Sequence, residues 1–281
     1  MMKKMDTRKT GMRLLGLLAA FSVASTALAE IDLSGDWMIS YHEDWLELGT
    51  GPDIADFAGM PVTEAARQRA LSYHASQVNM PTHQCLPLPI EYADLWSNTR
   101  IWKEVDEDSQ KVIAWRIRKD WGGTDRYIWM DNRPRPSAHA AHTFQGFSKG
   151  EWENNTLKVT TTHLKEGYAR RNGVPRSDQA TVVEHFMVFD NRLTVSVITK
   201  DPMYLSELWI RTANYERSIT RQIRPYPCEV VTELASMKRG YVPHYFPWKN
   251  PFLEEFSKKF GIPLDTALGH PEQMYPGFIE D

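Results

Sequence analysis

The 281-residue sequence predicts a mainly β protein, an antiparallel up-and-down meander of about eight strands with helical extensions at both ends. Three observations carry that expectation. From about Asn98 to Arg217 apolar residues recur with a period of two, the spacing that puts alternate side chains on opposite faces of a strand. Short turns built from residues that tolerate positive φ separate the runs. The chain is also rich in the aromatic residues that fit a pleated, half-buried surface, with 10 Trp, 11 Tyr and 11 Phe.

Residues 30–97 read as an irregular and helical extension. "DLSGDWMISYHEDW" opens it with a short strand-like piece, and Gly49–Val62 is loop punctuated by Gly and Pro. Thr63 is the N-cap of a helix reaching about Ser76, with Glu64 in the first turn and Ala66, Ala70 and Tyr73 buried. "PTHQCLPLPIEYADLW" is Pro-rich and extended. Strands are then expected over residues 98–105, 111–118, 125–130, 146–152, 155–163, 181–189, 192–200 and 206–217. In "TVVEHFMVF", for instance, Val183, His185, Met187 and Phe189 oppose Val182, Glu184, Phe186 and Val188. Asn154-Asn155 and Asp190-Asn191 supply two hairpin turns.

Eight such strands suffice to close residues 98–220 into a calycin/lipocalin-like barrel, which removes exposed edges and can hold one small ligand. The alternative is a curled open sheet with the N-terminal helix across one face. Residues 221–281 return to helix. "CEVVTELASMKRG" places Val231 and Leu234 on one face. In "NPFLEEFSKKFG", Asn250 caps, Pro251 fills the first turn, Gly261 stops the helix, and Phe252, Phe256 and Phe260 form a docking stripe.

The first 29 residues have the pattern of a secretory signal. Lys3, Lys4, Arg8, Lys9 and Arg13 precede the apolar run Leu14–Ala24, and Ala27-Leu28-Ala29 is a small-x-small cleavage site. The run falls short of the ~20 residues a spanning helix needs. A periplasmic or secreted chain with no membrane span is therefore expected. Of 33 basic and 36 acidic residues the signal removes five and one, leaving 28 against 35, a net charge of −7. That balance argues against nucleic acid, whose phosphates need a basic footprint, and against an anionic membrane surface. Cys85 and Cys228 in an oxidising compartment point to one disulfide, with two buried free thiols as the alternative.

Several stretches together carry a resemblance: "DLSGDW" (32–37), "HED" (42–44), "AAHTFQGFSKGEWENNTLKVTTTHLKEGYARRNGVPRSDQATVVEHF" (140–186), "DPMYL" (201–205) and "YPCEVV" (226–231). With these the chain resembles a family of exported bacterial proteins of unassigned activity, over nearly everything from Ile31 to about Tyr275. A broader set of exported proteins shares only the hairpin "GxSxGxWE–turn–TLxVxT" and the "ExF" strand after it. The resemblance implies export and a cysteine pair, and no particular reaction.

Candidate chemistry centres on "HLKEGYARRNGVPRSDQA", His163 to Ala180, a long connection at one barrel mouth among otherwise tight turns. Lys165, Arg170 and Arg171 can bind an anionic group, and Tyr168 can donate a hydrogen bond. His163 and His185 fall on strands expected to pair, so both can point to one side. The competing reading is a solvated basic loop paired with nearby acids. His139 and His142, at i and i+3, can ligate zinc if a third ligand arrives from elsewhere, but "RPRPSA" before them disfavours a helix, and His142 fits proton transfer better. His42, Glu43 and Asp44 can supply a carboxylate, or simply pair with an Arg of the barrel.

The sequence has no G-x-S-x-G elbow, P-loop, G-x-G-x-x-G, H-E-x-x-H or C-x-x-C. "GFSKG" runs from loop into strand, which is the wrong context for an elbow. A site without cofactor or metal is therefore expected, binding a small, partly apolar molecule that can be anionic. For an enzyme, acid–base chemistry fits best (isomerisation, elimination or hydrolysis), with His142, His163 and His185 transferring protons, Tyr168 donating, and Lys165, Arg170 and Arg171 stabilising charge. A non-catalytic ligand carrier and an envelope accessory protein are the alternatives.

Overall fold

The structure, a computed structural model, describes residues 31–41, 52–122, 125–233, 238 and 240–270. The signal segment and His42, Glu43 and Asp44 lie outside the described residues. Strand β1 (Gly35–Ser40) precedes helix α1 (Glu64–Leu71), a 3-10 helix (Ala75–Asn79) and helix α2 (Ile90–Trp96). Strands β2 (Thr99–Val105), β3 (Val112–Lys119), β4 (Arg126–Trp129), β5 (Phe147–Glu153) and β6 (Thr156–Thr162) follow. A small hairpin of β7 (Gly167–Tyr168) and β8 (Pro175–Arg176) separates β6 from β9 (Thr181–Phe189), β10 (Arg192–Lys200) and β11 (Trp209–Ser218). Helices α3 (Glu255–Phe260) and α4 (Leu264–Ala267) come last. Among the described residues no helix is long and apolar enough to cross a membrane.

The expected mainly β, calycin-like barrel is present. Nine strands close it in the order β1-β11-β10-β9-β6-β5-β4-β3-β2. Two features depart from an eight-strand antiparallel meander. Strand β1, the strand-like piece of the N-terminal extension, fits between β2 and β11 and makes the ninth. Strands β4 and β5 run parallel and pair only at Ile128↔Ser148 and Trp129↔Lys149. The chain between them returns along the barrel instead of turning back. Pro134 and Pro136 in that connection cannot donate to a ladder, which keeps it out of the sheet.

Every other neighbouring pair is antiparallel, so the two ends of the barrel differ. The hairpins β2–β3, β5–β6 and β9–β10 share one end. Two of them turn on Asn154 and Asp190, at φ 55° and 54°. The long connections β1–β2, β6–β9 and β10–β11 share the other end and build a cap there. Inside the barrel, Trp37, Trp115, Ile128, Leu157, Phe186 and Tyr215 pack in one buried cluster. The cap has its own cluster, in which Phe57, Met60, Ala66, Ala70 and Leu71 meet Ala169, Val174, Leu205 and Leu268.

The helical extensions are shorter than expected. The Oγ1 of Thr63 accepts from the Ala66 N–H at 3.3 Å, as a cap should, but α1 ends at Leu71, five residues before the expected Ser76. Tyr73 there joins His244 in an isolated bridge. Cys228–Glu233 is not helical. The Cys85–Cys228 disulfide anchors it, and the Gln84 side chain takes up both backbone groups of Val231, accepting from its N–H at 2.8 Å and donating to its carbonyl at 2.9 Å. A helix would need those groups internally. Residues 234–237 and 239 of that stretch, Leu234 included, lie outside the described residues. Of the Phe stripe, only Phe256 is half-buried. Phe252 and Phe260 are exposed, and Leu253 and Leu264 make the apolar contact with the cap cluster.

One polar group sits deep among the strands. The Arg126 guanidinium donates to Glu184 Oε1 at 2.8 Å, to Ser148 Oγ at 2.9 Å and to Thr161 Oγ1 at 2.9 Å, and also reaches Glu184 Oε2. Its side chain is 5% exposed and that of Glu184 0%. Removing one member leaves the other charge buried and uncompensated. Glu184→Gln is expected to lower unfolding free energy by about 3–5 kcal/mol in a denaturant titration. The double variant Arg126→Met/Glu184→Leu should recover most of that loss.

Candidate functional site

The short β4–β5 seam leaves room beside it for an open cleft of about 410 Å³. Its lining comes from Pro87, from Asp125, Arg126, Tyr127 and Trp129 on and just before β4, and from the turn Thr143–Gly146. The turn is pinned to the chain leaving β6. The Thr143 N–H donates to His163 O at 3.0 Å, the Lys165 N–H to Thr143 O at 2.8 Å, and the Gly146 N–H closes the turn on Thr143 O at 3.3 Å. Gly146 has φ +62°, and a Cβ there would collide with the Thr162 carbonyl and the Leu164 and Thr161 side chains. Only glycine fits that position without strain.

Planar side chains dominate the β4 wall. Alternation along β4 turns Arg126 and Ile128 inward and leaves Tyr127 and Trp129 outward, stacked with centroids 5.3 Å apart at 11°. Arg133 lies over the Trp129 ring, and Arg116 lies 5.1 Å from the Tyr127 ring centre. Asp125 accepts from Arg118 at 2.6 and 2.7 Å and from Arg116 Nε at 3.0 Å. These bonds, with Arg118 contributing most, hold its carboxyl below the ordinary aspartate range despite partial burial. On the turn side, Lys165 Nζ lies 5.0 Å from the Phe144 ring centre.

Three of the sequence-predicted residues gather beside this turn. His142 and His163 meet edge to face with centroids 5.3 Å apart, and Lys165 is two residues further on. His142 Nδ1 lies 2.9 Å from Leu164 O, so Nδ1 carries the proton and Nε2 is the acceptor of the neutral ring. His163 is committed at both nitrogens. Its Nε2 donates to Ser137 O at 2.8 Å, while Nδ1 is 2.9 Å from Thr162 Oγ1. It holds this bond pattern with φ +57°, at the point where the chain leaves β6.

The other predicted residues are elsewhere. Strands β6 and β9 do pair, but His185 faces outward opposite Lys158, five residues along β9 from the level of His163, which is about 16 Å at the rise of a strand. Tyr168 donates to Gln77 Oε1 at 2.8 Å and packs edge-on to Tyr73; burial raises its hydroxyl pKa. Arg170 is buried and pairs with Asp56. Arg171 lies over Trp121 and hydrogen-bonds the buried Tyr92, whose hydroxyl burial pushes up to about 12. These three residues assemble the cap and lie off the cleft.

His139 is exposed, and no group of three or more His, Cys, Asp or Glu among the described residues is placed to hold a metal. The residues that sequence reasoning missed are Asp125, Arg126, Tyr127, Trp129, Phe144 and Gln145. One signal for them existed: "DRYIW" puts an arginine on the inward face of a strand, which demands a buried partner.

Gly146→Ala is expected to cost about 2 kcal/mol or more in the denaturant midpoint, with an unchanged slope and altered fluorescence of the cleft aromatics. Because the Asp125 pKa is depressed, the stability it adds is complete above about pH 4 and disappears as pH falls through the lower folded value. Acid titration of the wild-type protein should therefore show a loss of stability that is smaller in Asp125→Asn. No family model matches this chain, and no curated protein or solved structure matches it either.

Proposed function

We propose that this chain is an exported β-barrel protein that binds a small, partly apolar molecule in the cleft beside the β4–β5 seam. The observation that carries the reading is the cleft's make-up. Tyr127, Trp129 and Phe144 offer apolar surface, while Thr143 and Gln145 offer hydrogen bonds around a volume typical of small-molecule sites. Its walls are pinned in advance by the Arg126–Glu184 pair, the Asp125 pairs and the bonds of the Thr143–Gly146 turn, so little ordering entropy remains for binding to spend. Export rests on the signal pattern of residues 1–29, and the Cys85–Cys228 disulfide is compatible with an oxidising compartment.

A second reading, proton-transfer catalysis on the bound molecule, is favoured by His142. Its Nδ1–H is committed to Leu164 O, which leaves a basic Nε2 on the residue directly before Thr143 of the cleft. Protein purified from its native compartment, examined by mass spectrometry for a co-purifying small molecule, tests both readings. Trp129→Ala and Phe144→Ala should each lose the molecule, and its retention in both would sink the cleft as the site. His142→Gln should keep the molecule, and under the catalytic reading it should abolish the conversion of added ligand.

A further inference from the structure

Resting on the cleft reading above, we infer that the ligand is an anionic aromatic molecule, an aryl carboxylate or a chemical equivalent, held by a local positive potential on an acidic protein. Most charges around the cleft cancel. Arg116 and Arg118 share Asp125, with Glu104 also on Arg116; Arg133 is bidentate to Asp131; and Arg126 is matched by Glu184. Two cations remain. Lys149 is the cross-strand partner of Trp129, and Lys165 stands over Phe144. Neither forms an ion pair among the described residues. Glu166, the acid next to Lys165 in sequence, pairs with Arg69, and Glu151, two residues from Lys149 along β5, stands opposite Lys158.

The Thr143–Gly146 turn adds a backbone contribution. Its two central residues, Phe144 and Gln145, line the cleft, and neither N–H donates a hydrogen bond among the described residues. Turn amides without a hydrogen-bond acceptor of their own favour an anion. The aromatic walls supply stacking area for the rest of the molecule, and an apolar surround strengthens the attraction of each cation. The whole chain is acidic, at net charge −3 before any processing, so two lysines flanking the cleft, next to its Trp129 and Phe144, are a local exception to the field of the protein.

Naphthoate and its neutral isostere naphthamide, titrated against the full mature protein by tryptophan quenching and calorimetry, test the inference. Naphthoate should bind about tenfold or more tightly than the amide, with a preference that shrinks as salt is raised. Lys149→Gln/Lys165→Gln should bring the two probes to parity with little change in naphthamide affinity, because both substitutions are on the surface. Equal binding of the probes to wild type, or a preference that survives the double substitution, would overturn the anionic assignment and leave the cleft reading intact. If neither probe binds, or both bind Phe144→Ala as they bind wild type, the cleft reading itself fails.

Discussion

The Arg126–Glu184 ion pair closes the barrel where its backbone cannot. Strands β4 and β5 share two residue pairs, and the sheet has its thinnest hydrogen bonding there. From β4 the Arg126 side chain reaches β5 at Ser148, β6 at Thr161 and β9 at Glu184, so one guanidinium ties four strands together. Burying two charges is costly, and the geometry offsets that cost through charge-assisted hydrogen bonds to three residues. Without such a brace the seam would be an exposed edge on each side, the situation barrels exist to avoid.

The asymmetry of the two ends follows from the same topology. At the end with the hairpins β2–β3, β5–β6 and β9–β10, short turns leave little backbone to satisfy. At the other end, long connections must find partners for buried polar groups, and they find one another. Arg176 pairs with Glu91 with both side chains 1% exposed, Asn172 donates to Asp56 O at 2.7 Å, and Ser177 bonds Asp201 through both its N–H and its hydroxyl. The stretch from His163 to Ala180 is the hub of that network. Its charge density serves assembly of the cap over most of its length, and only the His163–Lys165 end lies beside the cleft.

How much of this was legible depends on how local each determinant is. The eight strands from β2 to β11, leaving aside the small β7–β8 hairpin, follow from a period of two that any short window displays. The positive φ values at Asn154 and Asp190 follow from residue type. Strand β1 was visible as a short strand-like piece, but its place in the barrel was hidden, because its pairing with Arg217 and Tyr215 comes from the far end of the chain. The parallel seam was hidden because strand direction depends on the path of residues 131–146, which no periodicity records. Arg170 read as a binder of an anionic ligand, and Arg176 carried no signal of its own, because their partners Asp56 and Glu91 lie far away in sequence. The cleft was illegible for the same reason, since its walls come from three separate segments.

The disulfide has a topological consequence. Cys85 and Cys228 are 143 residues apart, and the covalent loop they close contains every barrel strand except β1. The barrel therefore consists of a sheet whose ends are chemically leashed and one strand that enters from outside the leash. If β1 were to peel away, β2 and β11 could drift apart only as far as that loop allows. The bond thus guards the gap that a single six-residue strand fills.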